Sequence, residues 1–151
     1  MSEQEGKNTH LPRDALIKNI RSNPDEVLFE NEFIYIVLNR YPIVPGHCMI
    51  LPKRDVATMS DLTPGEAYAF VEAIEKTADF LENEYGISCI SFKHHGSYIT
   101  QDHLHMHVIP TKKTYRQLFY EAKNTQIGKL TSEEMSVFHA KFSHRFEQQI
   151  L

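Results

Sequence analysis

The sequence predicts an α+β fold: five antiparallel strands in one sheet, a long crossover helix after the third strand, and a helix at the C-terminal end. Two observations carry most of this prediction. Five short apolar runs are bounded by turn residues, which is typical of strands. Two longer segments begin with Thr-x-x-Glu and continue with apolar residues at helical spacing, which indicates capped amphipathic helices.

The predicted strands follow one another through the first two-thirds of the chain. Asn31 and Glu32 predict a tight turn between the first two strands. The second strand has apolar side chains at both parities, which predicts burial on both faces. In order, the five strands are Val27–Glu30, Phe33–Asn39, His47–Pro52, Ile87–Lys93 and His103–Pro110.

Helix signals are clearest in the middle of the chain. The stretch Thr63-Pro64-Gly65-Glu66 combines an N-cap threonine, a proline at the first helical position and a glutamate three residues after the cap. Gly86 is the expected end of that helix. Shorter helices are predicted over Pro12–Ser22 and Thr114–Ala122, and Thr131 begins the C-terminal helix.

These elements predict three parts along the 151-residue chain, a length that suits one domain. Residues 1–11 are a flexible N-terminal arm, and residues 12–125 form the domain. Residues 126–151 hold the C-terminal helix, which we expect to pack on the domain or on a dimer partner.

Composition limits the classes of function. A net charge of −4 provides no broad basic surface, so general nucleic-acid binding is not expected. Cys48 and Cys89 lie in apolar runs, form no CxxC pair, and are expected to be buried thiols in a reducing compartment. The polar first ten residues do not resemble a signal peptide, and no apolar run approaches the roughly 18 residues of a membrane helix. We therefore expect a cytoplasmic protein with no membrane partner.

The most specific feature is the segment His103-Leu104-His105-Met106-His107-Val108-Ile109-Pro110. Because a strand alternates its side chains, the three imidazoles should share one face and the intervening apolar residues should enter the core. The outer two histidines would have Cα atoms about 13–14 Å apart. Zinc holds its nitrogen ligands at about 2 Å, so binding of one ion by all three is disfavoured.

Three interpretations of this histidine face remain open. Neutral imidazole is a good nucleophile near pH 7, and its attack on phosphorus would split one difficult displacement into two easier ones. Neighbouring imidazoles could then hydrogen-bond the phosphoryl oxygens. Alternatively, two of these histidines and His47 could bind a metal ion, or the face could be polar surface without chemistry.

Two segments together resemble the histidine triad (HIT) superfamily, in particular Fhit-like and related enzymes. His103–Ile109 matches the pattern His-x-His-x-His followed by two apolar residues. Asn39–His47 matches Asn-x-x-Pro-x-x-x-Gly-His and continues into Leu51-Pro52-Lys53. The resemblance covers roughly residues 27–110 and implies the family's five-stranded antiparallel sheet, usually in a homodimer.

The resemblance also implies roles for individual residues. His105 would be the nucleophile, oriented by a neighbouring backbone carbonyl, with His103, His107 and His47 around the phosphate. Asn39 would bind the ribose hydroxyls. The other implied nucleotide-binding residues are Thr100 and Lys93 near the phosphates, and Leu38, Tyr35 and Phe33 at the wall of the base pocket.

The implied activity is cleavage at the α-phosphate of a purine nucleotide conjugate through a covalent nucleotidyl-histidine. Dinucleoside polyphosphates and nucleoside phosphoramidates both fit, and Ile99, where many members have Gln, leaves the leaving group open. No protein-bound cofactor or metal is implied, although a divalent cation could accompany a polyphosphate. A non-catalytic nucleotide-binding module and a histidine-ligated metallohydrolase are the alternatives.

Overall fold

The computed structural model describes residues 15–92, 103–124 and 128–150. The predicted N-terminal arm, Lys93 and Thr100 lie outside the described residues. The strands are β1 (Val27–Glu30), β2 (Ile34–Leu38), β3 (Cys48–Pro52), β4 (Cys89–Phe92) and β5 (Met106–Pro110). The α-helices are α1 (Ala15–Ser22), α2 (Pro64–Tyr85), α3 (Tyr115–Asn124) and α4 (Ser132–Ile150). Short 3-10 helices cover Pro24–Glu26 and Met59–Asp61.

The strands form one sheet in the order β1-β2-β3-β5-β4, and every neighbouring pair is antiparallel. The predicted α+β architecture, with the long helix α2 after the third strand, is therefore confirmed. All five residues of β2 are buried, as its apolar pattern predicts. No described helix is long and apolar enough to cross a bilayer.

The two faces of the sheet have different partners. One face packs on α2 and α4 in the main core, to which Ile36, Ile50 and Val108 belong. The other face packs on α1 through a smaller cluster that includes Ile20 and Val37. The histidine site forms beside this smaller cluster.

The start of β5 differs from the prediction. The strand begins at Met106, so His103, Leu104 and His105 precede it. The β3–β5 ladder ends at the Ile50–Met106 pair. Two positions further along β3 stands Pro52, which has no amide hydrogen to donate to a partner strand. The Leu104 amide instead donates to the Val56 carbonyl at 2.8 Å. Leu104 still enters the main core, so the alternation continues beyond the ladder.

Helix α2 begins with the predicted capping box. The Glu66 amide donates to Thr63 Oγ1 at 3.2 Å, and Glu66 Oε1 accepts from the Thr63 amide at 2.9 Å. Arg54 donates two hydrogen bonds to the same carboxylate, from Nε at 2.9 Å and from Nη2 at 2.8 Å. These hydrogen bonds, led by those from Arg54, lower the pKa of Glu66 to about 2.

The lowered pKa of Glu66 predicts that part of the protein's stability is lost in acid. Because the folded-state pKa lies below the unfolded one, its stabilisation is present above about pH 4.5 and disappears as the pH falls towards 2. We expect Glu66→Gln to lower the free energy of unfolding at pH 7 by about 1–3 kcal/mol, and by much less at pH 2.5. Urea unfolding at both pH values measures this. An equal loss at both would contradict the assignment.

Candidate active site

Three of the four predicted catalytic histidines form a contiguous group of rings. The centroids of His47 and His107 lie 5.0 Å apart, and those of His105 and His107 lie 5.1 Å apart. His47 comes immediately before β3 and His107 lies within β5, so the antiparallel pairing of these strands brings the two sequence segments together. All four histidines, including His103, are buried.

Hydrogen bonds fix the protonated nitrogens of His47 and His107. The Ile43 amide donates to His47 Nδ1 at 3.2 Å, so this nitrogen carries no proton. The proton of His47 is then on Nε2, which lies 2.8 Å from His107 Nδ1 and donates to it. His107 must therefore carry its own proton on Nε2. This series of hydrogen bonds, which starts at the Ile43 amide, thus makes His107 Nε2 a hydrogen-bond donor.

The opposite arrangement holds at His105. Its Nδ1 lies 2.8 Å from the His103 carbonyl oxygen, which can only accept. Nδ1 therefore carries the proton, and the lone pair of the neutral ring is on Nε2. This is the tautomer that a nucleophilic Nε2 requires.

His103 is anchored in a different way. Its Nε2 lies 2.6 Å from the Pro52 carbonyl oxygen and must donate to it. The ring of His103 therefore holds the segment before β5 against the end of β3. Its carbonyl group, in turn, orients His105.

Asn39 is placed beside this group by its own backbone. The Asn39 amide donates to the His47 carbonyl at 2.9 Å, which continues the β2–β3 ladder by one residue. Asn39 Oδ1 accepts from the Tyr41 amide at 3.0 Å, and this fixes the side chain so that Nδ2 is the group able to donate to a ligand.

A cavity of about 300 Å³ begins at Asn39 and lies between α1 and the sheet. Met49 in its wall pairs with both Val37 and His107 across the sheet, so the cavity adjoins the histidines. Its described lining is Leu16, Asn19, Ile20, Asn23, Glu26, Val37, Leu38, Asn39, Arg40, Tyr41, Met49 and Lys129.

The predicted wall residues of a base pocket do not lie together. Tyr35 belongs to the cluster on the α1 face, and the Lys53 ammonium covers its ring at 4.8 Å from the centroid. Leu38 borders the cavity, but its side chain belongs to the main core on the opposite face of the sheet.

Phe33 also packs against the main core, with its ring at the Gly65 position at the start of α2. Phe33 is not among the described residues that line the cavity. The physical reason is that Asn31 Oδ1 accepts from the amides of Phe33 and Ile34, at 2.8 and 3.0 Å, which turns the chain before β2 begins. The strand alternation therefore does not extend back to Phe33.

Sequence reasoning missed several residues of the cavity. Leu16, Asn19, Ile20 and Asn23 line it from α1 and the residue after it, at spacings of three and four. That stripe was visible in the sequence as two apolar and two amide residues on one helical face. By contrast, no local pattern indicates that Glu26 and Lys129 meet there, since they are far apart in the chain.

Gly46 lies in the turn immediately before His47 and determines its shape. It has φ +89°, and a Cβ atom there would lie 2.7 Å from Cε2 of Tyr85 and 3.1 Å from Cγ of Pro110. We expect Gly46→Ala to destabilise the fold by about 1–3 kcal/mol and to displace His47 from His107. Thermal unfolding measures the first effect, and histidine NMR shifts measure the second. Gly128→Ala is the control because no heavy atom lies within 4 Å of its added Cβ. Equal stability of both variants would contradict this account.

Within the described ranges, no three histidine, cysteine or acidic side chains converge where an ion could bind. In the proposed metal set, His47 Nδ1 accepts from a backbone amide and His103 Nε2 donates to a carbonyl. These nitrogens are therefore engaged in protein hydrogen bonds.

Comparison with known proteins agrees with the fold and the histidine pattern. The family described as HIT domain matches residues 21–114. A bis(5'-adenosyl)-triphosphatase of Dictyostelium discoideum is 31% identical over 93 residues, which are 58% of this chain and 61% of that protein. An asymmetrical bis(5'-nucleosyl)-tetraphosphatase of Schizosaccharomyces pombe is 27% identical over 113 residues, 71% of this chain and 62% of that protein.

The chain thus spans about three-fifths of the length of these two relatives. Among solved structures, a Hit-like protein from Bartonella henselae superposes with a TM-score of 0.66 at 18% identity. The superposition covers 86% of this chain and 93% of that one. At this identity, the likeness concerns the fold alone.

Proposed function

This chain belongs to the HIT domain family, and on that premise we propose that it hydrolyses dinucleoside polyphosphates through a nucleotidyl intermediate on His105. One observation carries the proposal. The 2.8 Å contact between His105 Nδ1 and the His103 carbonyl leaves the lone pair of this imidazole on Nε2. That nitrogen is then the nucleophile.

The first step is a displacement at the α-phosphorus. His105 Nε2 forms a bond to phosphorus while the bond from phosphorus to the bridging oxygen breaks, and the remaining nucleotide departs with that electron pair. His107 Nε2–H, held by His47, donates to a non-bridging oxygen, whose negative charge increases in the transition state. The His103 carbonyl stabilises the positive charge on the attached imidazole through Nδ1–H.

The second step releases the product. Water attacks the same phosphorus, the bond to His105 Nε2 breaks, and a nucleoside monophosphate leaves. The proton of the water passes to solvent or to the departing phosphate, and His105 recovers its lone pair.

The choice of substrate class rests on the relatives. Both are named as hydrolases of dinucleoside polyphosphates, one acting on a triphosphate bridge and one on a tetraphosphate bridge. We therefore propose polyphosphates rather than phosphoramidates as the substrates, with a divalent cation accompanying the polyphosphate. The nucleoside of the attacked phosphate would occupy the cavity, where Asn39 Nδ2 donates to a ribose hydroxyl.

A turnover panel tests this function. The purified chain is assayed with diadenosine and diguanosine tri- and tetraphosphates and with adenosine phosphoramidate, each with and without Mg²⁺. We expect the highest kcat/KM with a dinucleoside polyphosphate. Tight mononucleotide binding without hydrolysis of any substrate would contradict the proposal and favour a binding module.

A further inference from the structure

The cavity beside the histidines has an apolar part and a charged end. Leu16 and Ile20 of α1 and Val37 and Met49 of the sheet form the apolar part of its lining. At the outer end stands Glu26, the last residue before β1. Apolar side chains contact every base in a similar way, so the charged end is where bases could be told apart.

The sheet register places Glu26 at a distance from His107 that a bound nucleotide could span. His107 pairs with Met49, Met49 with Val37, and Val37 with Val27, the neighbour of Glu26. Three inter-strand steps separate the backbones of β5 and β1 by about 14 Å, and side chains from both ends shorten that gap. A nucleotide lying across these strands would have its phosphate at His107 and the far edge of its base towards Glu26.

Glu26 has an unusual environment for a carboxylate near the surface. Only 11% of its side chain is exposed, and Arg40 Nε contacts its Oε2 at 3.4 Å. In the described part of the chain, this leaves Oε1 as an acceptor for a ligand. Burial raises the pKa of Glu26, while Arg40 acts in the opposite direction and favours the ionised form.

We propose that Glu26 selects guanine over adenine at this site, an inference that rests on the proposed function for the placement of the nucleotide. Guanine has two donors on its outer edge, N1–H and the 2-amino group, which a carboxylate can accept together. Adenine has only one donor on this edge, its 6-amino group, beside an acceptor at N1 that the carboxylate would repel. Lys129, which also lines the cavity, can donate to guanine O6.

Equilibrium binding of GMP, IMP and AMP to the full chain at pH 8 tests this selection without any variant. One bidentate contact is worth about 1–3 kcal/mol of discrimination, so GMP should bind roughly 5- to 150-fold more tightly than AMP. IMP lacks the 2-amino group and should bind more weakly than GMP. Equal affinities, or tighter binding of AMP, would overturn the inference.

A pair of variants assigns the selection to one carboxylate. Glu26→Gln should reduce the GMP/AMP affinity ratio at least about fivefold. Asp25→Asn is the matched control, because Asp25 pairs with the same Arg40 at 2.8 Å, is 53% exposed and does not line the cavity. The control should keep the wild-type ratio. Retention of the full ratio in Glu26→Gln would overturn the inference, and if that variant does not fold, the ligand series decides alone.

The measurements also separate this inference from the proposed function. A GMP preference that depends on Glu26, in a protein that hydrolyses no dinucleoside polyphosphate, would keep base selection and contradict the hydrolase. Hydrolysis of diadenosine and diguanosine tetraphosphates with equal kcat/KM would keep the hydrolase and contradict base selection.

Discussion

Replacing His105 with alanine is expected to lower kcat at least about ten-thousand-fold for any dinucleoside polyphosphate that the wild type hydrolyses. The variant lacks the Nε2 lone pair that attacks phosphorus, so the route through a nucleotidyl intermediate is lost. Mononucleotide affinity should change only a few-fold, because the cavity and Asn39 are untouched. Steady-state kinetics and calorimetric binding measure the two effects.

His144→Ala provides a matched control on the same chain, since His144 is an exposed histidine on α4. It should keep the wild-type kcat. A His105→Ala variant with kcat within tenfold of wild type would remove His105 as the nucleophile.

The largest expected loss of stability is at Phe142. This fully buried ring on α4 packs edge-on against Phe80 of α2 at 5.0 Å and stacks on Phe146 at 4.9 Å. Phe142→Ala should therefore lower the free energy of unfolding by about 3–5 kcal/mol. Urea unfolding followed by circular dichroism measures the loss.

Val137→Ala tests the same helix on its exposed side, where 51% of the residue is accessible. This control should change the free energy of unfolding by no more than about 0.5 kcal/mol. A loss below 1 kcal/mol in Phe142→Ala would show that α4 contributes little to the core of the isolated chain.

The elements best predicted from sequence are those specified locally. Thr63, Glu66 and Gly86 carry the caps of α2, and all three have the predicted geometry. The burial of β2 on both faces followed from its apolar residues at both parities. The grouping of His47 with His105 and His107 was expected from the family resemblance, because local periodicity cannot bring two distant segments together.

The remaining features depend on contacts between distant segments. Pro52 ends a ladder with β5 because it lacks an amide hydrogen, and this effect appears only once the strand register is known. Phe33 packs against the main core because Asn31 turns the chain before β2. Glu26 becomes a cavity residue through the pairing of β1 with β2 and the contact with Arg40, neither of which a local pattern indicates.

The stereochemical course at the α-phosphorus tests the central claim most directly. A dinucleoside polyphosphate with sulfur at one stereochemically defined α-phosphorus position is hydrolysed in heavy-oxygen water, and phosphorus NMR gives the configuration of the product. Two successive in-line displacements, first by His105 and then by water, predict overall retention. Overall inversion would mean that water attacks the substrate directly and would contradict a nucleotidyl-His105 intermediate.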